Sequence, residues 1–156
     1  MRREIFINLI KKMPGISYNE IVRGSGLSNG VVSHYLIKLM ENEEIEKEGL
    51  MRGKYFFKDV PKKDRALITL LRNKTNNEVF KYLLKKSKSN DTTDTKEIIK
   101  KVKKSNSTIS VSLKILQKNN IIERVIMNKN SKLTNDIGYR ILNVKFWTLY
   151  FVKYNL

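Results

Sequence analysis

A chain of 156 residues with 40% apolar side chains and no cysteine suits one or two small packed domains, and it excludes disulfides, cysteine-ligated zinc and a thiol nucleophile. The formal charge is +17, from 32 basic and 15 acidic residues, which favours a polyanionic partner. Residues 1–62 carry 11 basic and 8 acidic residues and residues 63–156 carry 21 and 7, so the field is concentrated in the second half and is not a uniform enrichment in lysine. Nucleic acid is the first candidate partner and an anionic membrane surface the second. The opening segment MRREIFINLIKKMPG has neither the apolar run nor the cleavage site of a secretory signal, so a cytoplasmic protein is expected. No charge-free stretch reaches the roughly eighteen residues of a spanning helix.

Ile5, Leu9 and Met13 recur at helical spacing, with Phe6 and Ile10 widening the stripe, and Pro14-Gly15 ends this first helix. Ser17-Tyr18-Asn19-Glu20 is a capping-box pattern that starts a second, short helix with Ile21 and Val22 inward. Gly24, Ser25 and Gly26 make a tight turn, Leu27 enters the core and Ser28 caps a third helix. Val32, Leu36, Leu39 and Met40 share the buried face of that helix. Residues 45–58, IEKEGLMRGKYFFK, read as a hairpin with a basic tip. Pro61 precedes a linker helix at 64–73, with Ala66, Leu67, Leu70 and Leu71 on one face, and NKTNN at 73–77 breaks it. Helices at 77–87, 94–103 (capped by Asp94 and Glu97) and 105–119 follow. A second hairpin spans 121–134, with Asn128, Lys129, Asn130 and Ser131 at its tip, and residues 135–156 read as a long apolar helix.

The chain repeats itself. EIFINLIKK at 4–12 and EVFKYLLKK at 78–86 agree at five of nine positions at an offset of 74, and 17–47 match 94–124 at an offset of 77. The extra three residues fall in the loop SKSNDTT at 87–93. The shared positions include polar residues, Glu20/Glu97, Ser28/Ser105, Asn29/Asn106 and Ser33/Ser110, as well as core leucines. A two-copy repeat of this length means two similar domains. Helix, helix, turn, helix, hairpin is the winged helix-turn-helix order. The expected fold is therefore mainly α with small β-hairpin wings: one winged helix-turn-helix at 1–60, a linker helix at 61–76, a second at 77–134 and a hydrophobic helix at 135–156.

Leu27, Ser28, Val32, Ser33, Leu36, Leu39 and Ile45, repeated as Ser105, Thr108, Ile109, Ser110, Leu113, Leu116 and Ile122, resemble the recognition helices of MarR- and ArsR-like regulators. ALITLLRNKTNNEVFKYLL at 66–84 is similar to the start of the second domain in archaeal tandem winged-helix regulators. The resemblance implies sequence-specific binding of double-stranded DNA in transcription regulation. Metal-sensing relatives use clusters of Cys, His and carboxylates; with no Cys and one His this chain does not carry that role. No cofactor, metal or small-molecule ligand is expected.

A recognition helix enters the major groove with its N-terminal residues nearest the base edges. Ser28, Asn29, Gly30, Ser33, His34 and Lys38 are the candidates in the first copy, and Ser105, Asn106, Ser107, Thr108, Ser110 and Lys114 in the second. Phosphate contacts fall to Arg52 and Lys54 in the first wing, Lys129 and Lys132 in the second, and Lys100, Lys101, Lys103 and Lys104 around the second turn. The apolar final segment has four readings: packing on the protein's own domains, homodimerisation, a membrane surface (disfavoured by Arg140, Lys145 and Lys153) and a platform for single-stranded bases. No paired carboxylates, phosphate loop or catalytic triad suggests an enzyme. A replication or basal transcription factor and a protein–protein adaptor are the alternative functions.

Overall fold

The structure, a computed structural model, describes residues 1–127 and 137–156. It is mainly helical, with two small three-stranded antiparallel sheets, and divides into two compact units. The first comprises Met1–Arg72 with Tyr154–Leu156, and the second Asn73–Lys153.

The first unit runs α1 (Arg2–Lys12), β1 (Ile16–Ser17), α2 (Tyr18–Ser25), α3 (Asn29–Glu41), β2 (Ile45–Glu48), β3 (Lys54–Phe57) and α4 (Lys62–Arg72). Phe6 and Ile10 of α1 are fully buried, whereas Ile5 is 38% exposed, so the core face is centred one residue beyond the Ile5–Leu9–Met13 stripe. Ile16, Ile21, Val32, Leu36, Leu39, Ile45 and Tyr55 complete the core. The Pro14-Gly15 stop is followed by a two-residue strand, missed in the sequence, in which Ile16 pairs with Tyr55 of β3. Gly15 has φ +80°, and a β-carbon there would meet the Phe56 ring at 3.0 Å, so both backbone and packing require glycine. The capping box forms as read: Ser17 Oγ accepts from the Glu20 amide and the Glu20 carboxylate accepts from the Ser17 amide.

The expected linker helix belongs to this unit. Its buried residues are Arg65, Ile68 and Leu71, while Ala66 is exposed, because the guanidinium of Arg65 has carboxylate partners on β2 and can be covered.

The second unit repeats the order: α5 (Lys74–Ser87), β4 (Thr93–Asp94), α6 (Thr95–Val102), α7 (Asn106–Lys118), β5 (Ile122–Ile126) and β6 (Ile137–Ile141), then α8 (Val144–Lys153). Three expectations are corrected here. NKTNN does not break a helix but starts one, since Asn73 Oδ1 accepts from the amides of Thr75 and Asn76 and α5 begins at Lys74 rather than 77. Glu97 does not close a capping box on Asp94; its carboxylate takes the Tyr82 hydroxyl and the Lys86 ammonium instead. The long helix at 135–156 is also not formed. Ile137–Ile141 is the central strand of the second sheet, paired with β4 and β5, and the helix is confined to Val144–Lys153. Gly138 permits this, because a β-carbon there would lie 2.6 Å from both Met127 and Thr92. The hairpin-tip residues Asn128, Lys129, Asn130, Ser131 and Lys132 lie outside the described residues.

One face of α8 packs within its own unit. Trp147 and Tyr150 are buried, and the rings of Trp147 and Phe151 lie 6.1 and 5.9 Å from Phe80 of α5. Phe146, Leu149 and Val152 remain 49%, 63% and 72% exposed, so most of the apolar segment is covered and one stripe of α8 is not. Among the described residues no helix is long and apolar enough to cross a membrane.

Candidate nucleic-acid interface

Burial of Val32, Leu36 and Leu39 turns the opposite side of α3 outward. Asn29, Gly30, His34 and Lys38 are exposed, as is Ser28 at the N-cap, whose side chain makes no capping bond. Ser33 is half-buried, because Tyr18 at the start of α2 reaches across to it. The phenol donates to the Asn29 carbonyl at 2.9 Å and lies 2.9 Å from Ser33 Oγ. Its single proton is engaged by Asn29, so Ser33 is the donor in the second bond and presents only acceptor capacity outward. Tyr18 thus braces the first turn of α3. The sequence shows the tyrosine inside its capping box but not its through-space role.

The imidazole of His34 stands edge-on to Tyr35 at 5.5 Å, and Tyr35 stacks on Phe6 at 5.2 Å. An exposed histidine is therefore set on an aromatic column rooted in the core. Gly30 has no such neighbours: a β-carbon there would meet nothing within 4 Å. Glycine costs up to ~1 kcal/mol in a helix relative to alanine, and the protein's own packing supplies no reason for it.

The equivalent surface of α7 is built differently. Asn106, Ser107, Thr108, Ser110 and Lys114 are all exposed. Ser105 caps the helix by accepting from the Thr108 amide at 3.2 Å, and its hydroxyl lies 3.0 Å from Ser107 Oγ and 2.7 Å from Thr108 Oγ1. Two of the expected base-reading hydroxyls, Ser107 and Thr108, are thus already engaged by a third, Ser105. Val111, 57% exposed, stands in the place of His34. Ser112 stands in the place of Tyr35 and is buried, donating to Asn76 Oδ1 at 2.6 Å.

The ends of the second helices and the residues that follow them also differ; Gly24 and Ser25 stay inside α2, so the expected tight turn begins only at its cap, Gly26. The first reads Arg23-Gly24-Ser25-Gly26-Leu27 and the second Lys100-Lys101-Val102-Lys103-Lys104. Lys100, Lys101 and Lys103 are exposed; Lys104, at the position of Leu27, is half-buried as Leu27 is. Gly26 closes α2 in the left-handed region at φ +65°, and Lys103 adopts the same conformation at φ +54°. A side chain there costs ~1–2 kcal/mol relative to glycine.

In the β2–β3 hairpin, the expected first wing, Arg52 is exposed, between the exposed Leu50 and Met51 and the half-buried Lys54. Lys54 Nζ is 4.0 Å from the Glu20 carboxylate. Burial pushes that carboxyl up, but the Ser17 hydroxyl and amide together with Lys54 outweigh it and hold it below the usual carboxylate range. Lys54 therefore shares its charge with Glu20, whereas no ion pair engages Arg52 among the described residues. A cleft of about 640 Å³ separates this wing from the start of α2. Lys129 and Lys132, the expected cations of the second wing, lie outside the described residues.

Each unit thus offers a solvent-facing polar helix start with cations beside it. This surface combines hydrogen-bond donors and acceptors with positive charge. Among the described residues no group of three His, Asp or Glu side chains is placed to hold a metal.

No family model matches the chain, and no curated protein matches it. Among solved structures, the DIP2311 protein from Corynebacterium diphtheriae is similar with a TM-score of 0.34 and 13% identity, over 90% of this chain and 26% of that one. This chain therefore spans about a quarter of that structure's length. ScpB from Mycobacterium tuberculosis is similar with a TM-score of 0.37 and 9% identity, over 95% of this chain and 94% of that one. Neither likeness assigns a function.

Proposed function

We propose that this protein is a sequence-specific, double-stranded DNA-binding transcription regulator of the cytoplasm, built from two tandem winged helix-turn-helix units. The observation that carries this reading is the exposed start of each third helix: Asn29, Gly30 and His34 on α3, and Asn106, Ser107 and Ser110 on α7, each on the far side of a closed core. Asn is suited to a bidentate bond with adenine, hydroxyls bond several bases, and the surrounding lysines neutralise phosphates. The MarR- and ArsR-like pattern of the third helices and the charge of +17 support the same partner. The exposed Phe146, Leu149 and Val152 of α8 support a homodimer as the oligomeric form.

The test is selection from a pool of random duplexes, followed by titration of the recovered sequence against the unselected pool. The recovered duplex is expected to bind far more tightly, and Asn29→Ala combined with Asn106→Ala to erase the difference. Equal affinity for both would defeat the reading. A preference for single strands or polymerase subunits would indicate a replication or basal transcription factor, and salt-resistant binding to protein alone an adaptor.

A further inference from the structure

We propose that the two units divide the labour: α3 of the first unit reads base edges at Asn29, Gly30 and His34, and the second unit grips the phosphate backbone with its turn lysines. This rests on the DNA-binding reading above and adds an asymmetry that the repeat itself makes visible.

The charge is the first sign. Residues 73–153 carry 18 basic and 6 acidic side chains, a net +12, while the rest of the chain carries 14 and 9, a net +5. Three of the seven extra charges lie at the end of α6 and just after it, where Gly24, Gly26 and Leu27 of the first copy become Lys101, Lys103 and Lys104 in the second. The backbone has kept the shape that glycine made. Lys103 holds a left-handed conformation that Gly26 adopts freely, so a cation sits where a strained side chain must be tolerated. Phosphate contacts of this kind add affinity for any duplex and do not select sequence.

The third helices differ in the complementary sense. Gly30 leaves the α3 backbone bare, with open space where a β-carbon would stand, and Asn29 and His34 flank that notch. Tyr18 bonds the first turn and the Phe6–Tyr35 column backs His34, so the reading groups are pre-positioned. In α7 a serine, Ser107, replaces the glycine, the hydroxyls of Ser107 and Thr108 both bond that of Ser105, and an exposed valine replaces the histidine. Such a surface lies against a groove without discriminating well among bases.

The full-length chain is tested with two probes, the tightest duplex recovered from a random pool and the unselected pool itself. Gly30→Ala is expected to leave Tm unchanged or raised, to weaken the selected duplex roughly tenfold or more, and to leave pool binding intact. Lys103→Gly is expected to raise Tm, to weaken both probes by one factor, and to lower the slope of log affinity against log salt by about one. Asn29→Ala alone is expected to abolish discrimination, and Asn106→Ala alone to weaken both probes by a similar factor. The proposal is overturned if Gly30→Ala and Asn29→Ala preserve discrimination while Asn106→Ala or Ser107→Ala removes it, or if Lys103→Gly leaves pool binding and the salt slope unchanged. If the native chain binds no duplex at low salt, the DNA reading fails and takes the division of labour with it.

Discussion

Replacing Tyr154 by alanine is expected to destabilise the first unit by about 3–5 kcal/mol, the usual range for deleting a buried aromatic ring. Tyr154, Asn155 and Leu156 come last in the chain yet belong to this unit, where Tyr154 and Leu156 are 4% and 8% exposed. The phenol donates to Asp64 Oδ2 at 2.7 Å, the Tyr154 carbonyl accepts from Arg72 at 3.1 Å, and the Asn155 amide donates to the Lys12 carbonyl at 3.0 Å. Arg72 also donates to the Pro14 carbonyl, so one guanidinium ties this terminus to the turn after α1. Tyr154→Phe keeps the ring and loses one hydrogen bond, at about 1 kcal/mol. Urea unfolding gives the magnitudes, and amide exchange at Phe6, Ile10 and Ile68 shows whether the loss falls on the first unit. Unchanged protection there in Tyr154→Ala would refute the expectation.

Alkali provides a second readout of the same contact. Burial first, and then the bond to Asp64, push the Tyr154 phenol well above its ordinary range. A phenol in the unfolded chain ionises near pH ~10, so the stabilisation is complete below that value and is lost as the pH rises beyond it. Tyr154→Phe should therefore show a shallower alkaline loss than the native chain.

The sequence was most legible where the physics is local. The capping box of Ser17 and Glu20 acts over three residues, and it forms as written. The core of the first unit was legible from periodicity, though its centre lies on Phe6 and Ile10 because α1 must face α2, α3 and β3 together. Local signals failed where one residue serves opposite ends of an element. Asn73 reads as a breaker when looking back along α4 and is a cap when looking forward into α5. From Ile137 onward 13 of 20 residues are apolar or aromatic, and reading the segment as one helix passed over the alternation of Ile137, Tyr139 and Ile141 with Gly138 and Arg140. Pairing with β4 and β5 decided for a strand up to Ile141, and Asn143, whose side chain accepts from the Phe146 amide, begins the helix.

The candidate site divides in the same way. Exposure of Asn29, His34, Lys38, Asn106 and Ser110 follows from helical spacing and was legible. The brace from Tyr18, the bonding of Ser107 and Thr108 to Ser105, and the strained backbone of Lys103 depend on geometry, and no spacing rule exposes them.

Arg65 carries the second large expectation, since it is a charged residue at only 2% exposure in a chain otherwise rich in solvated cations. Nη1 lies 2.5 Å from Glu46 and 2.9 Å from Glu48, Nε donates to the Val60 carbonyl at 3.0 Å, and the guanidinium sits 5.6 Å over the Phe56 ring. The fork fits two carboxylates and a carbonyl at once, which a lysine ammonium cannot match. Both glutamates keep contact with water and rehydrate when Arg65 is removed, so the loss stays below that of a fully buried pair. Arg65→Met, which keeps most of the stem, is expected to cost about 1–2 kcal/mol, and Arg65→Ala about 3. The bond from Arg65 is the foremost cause holding the Glu46 carboxyl below its ordinary value. The pair therefore stabilises fully above the ordinary carboxylate range and is lost as the pH falls below about 4. Acid titration of the unfolding midpoint should be flatter in Arg65→Met than in the native chain. Because Glu46 and Glu48 lie on β2, the same variant loosens the wing that presents Arg52, and affinity for the unselected duplex pool should fall modestly with discrimination retained. An Arg65→Met chain with native stability and a native acid limb would show that the buried guanidinium contributes nothing net to holding α4 against the wing.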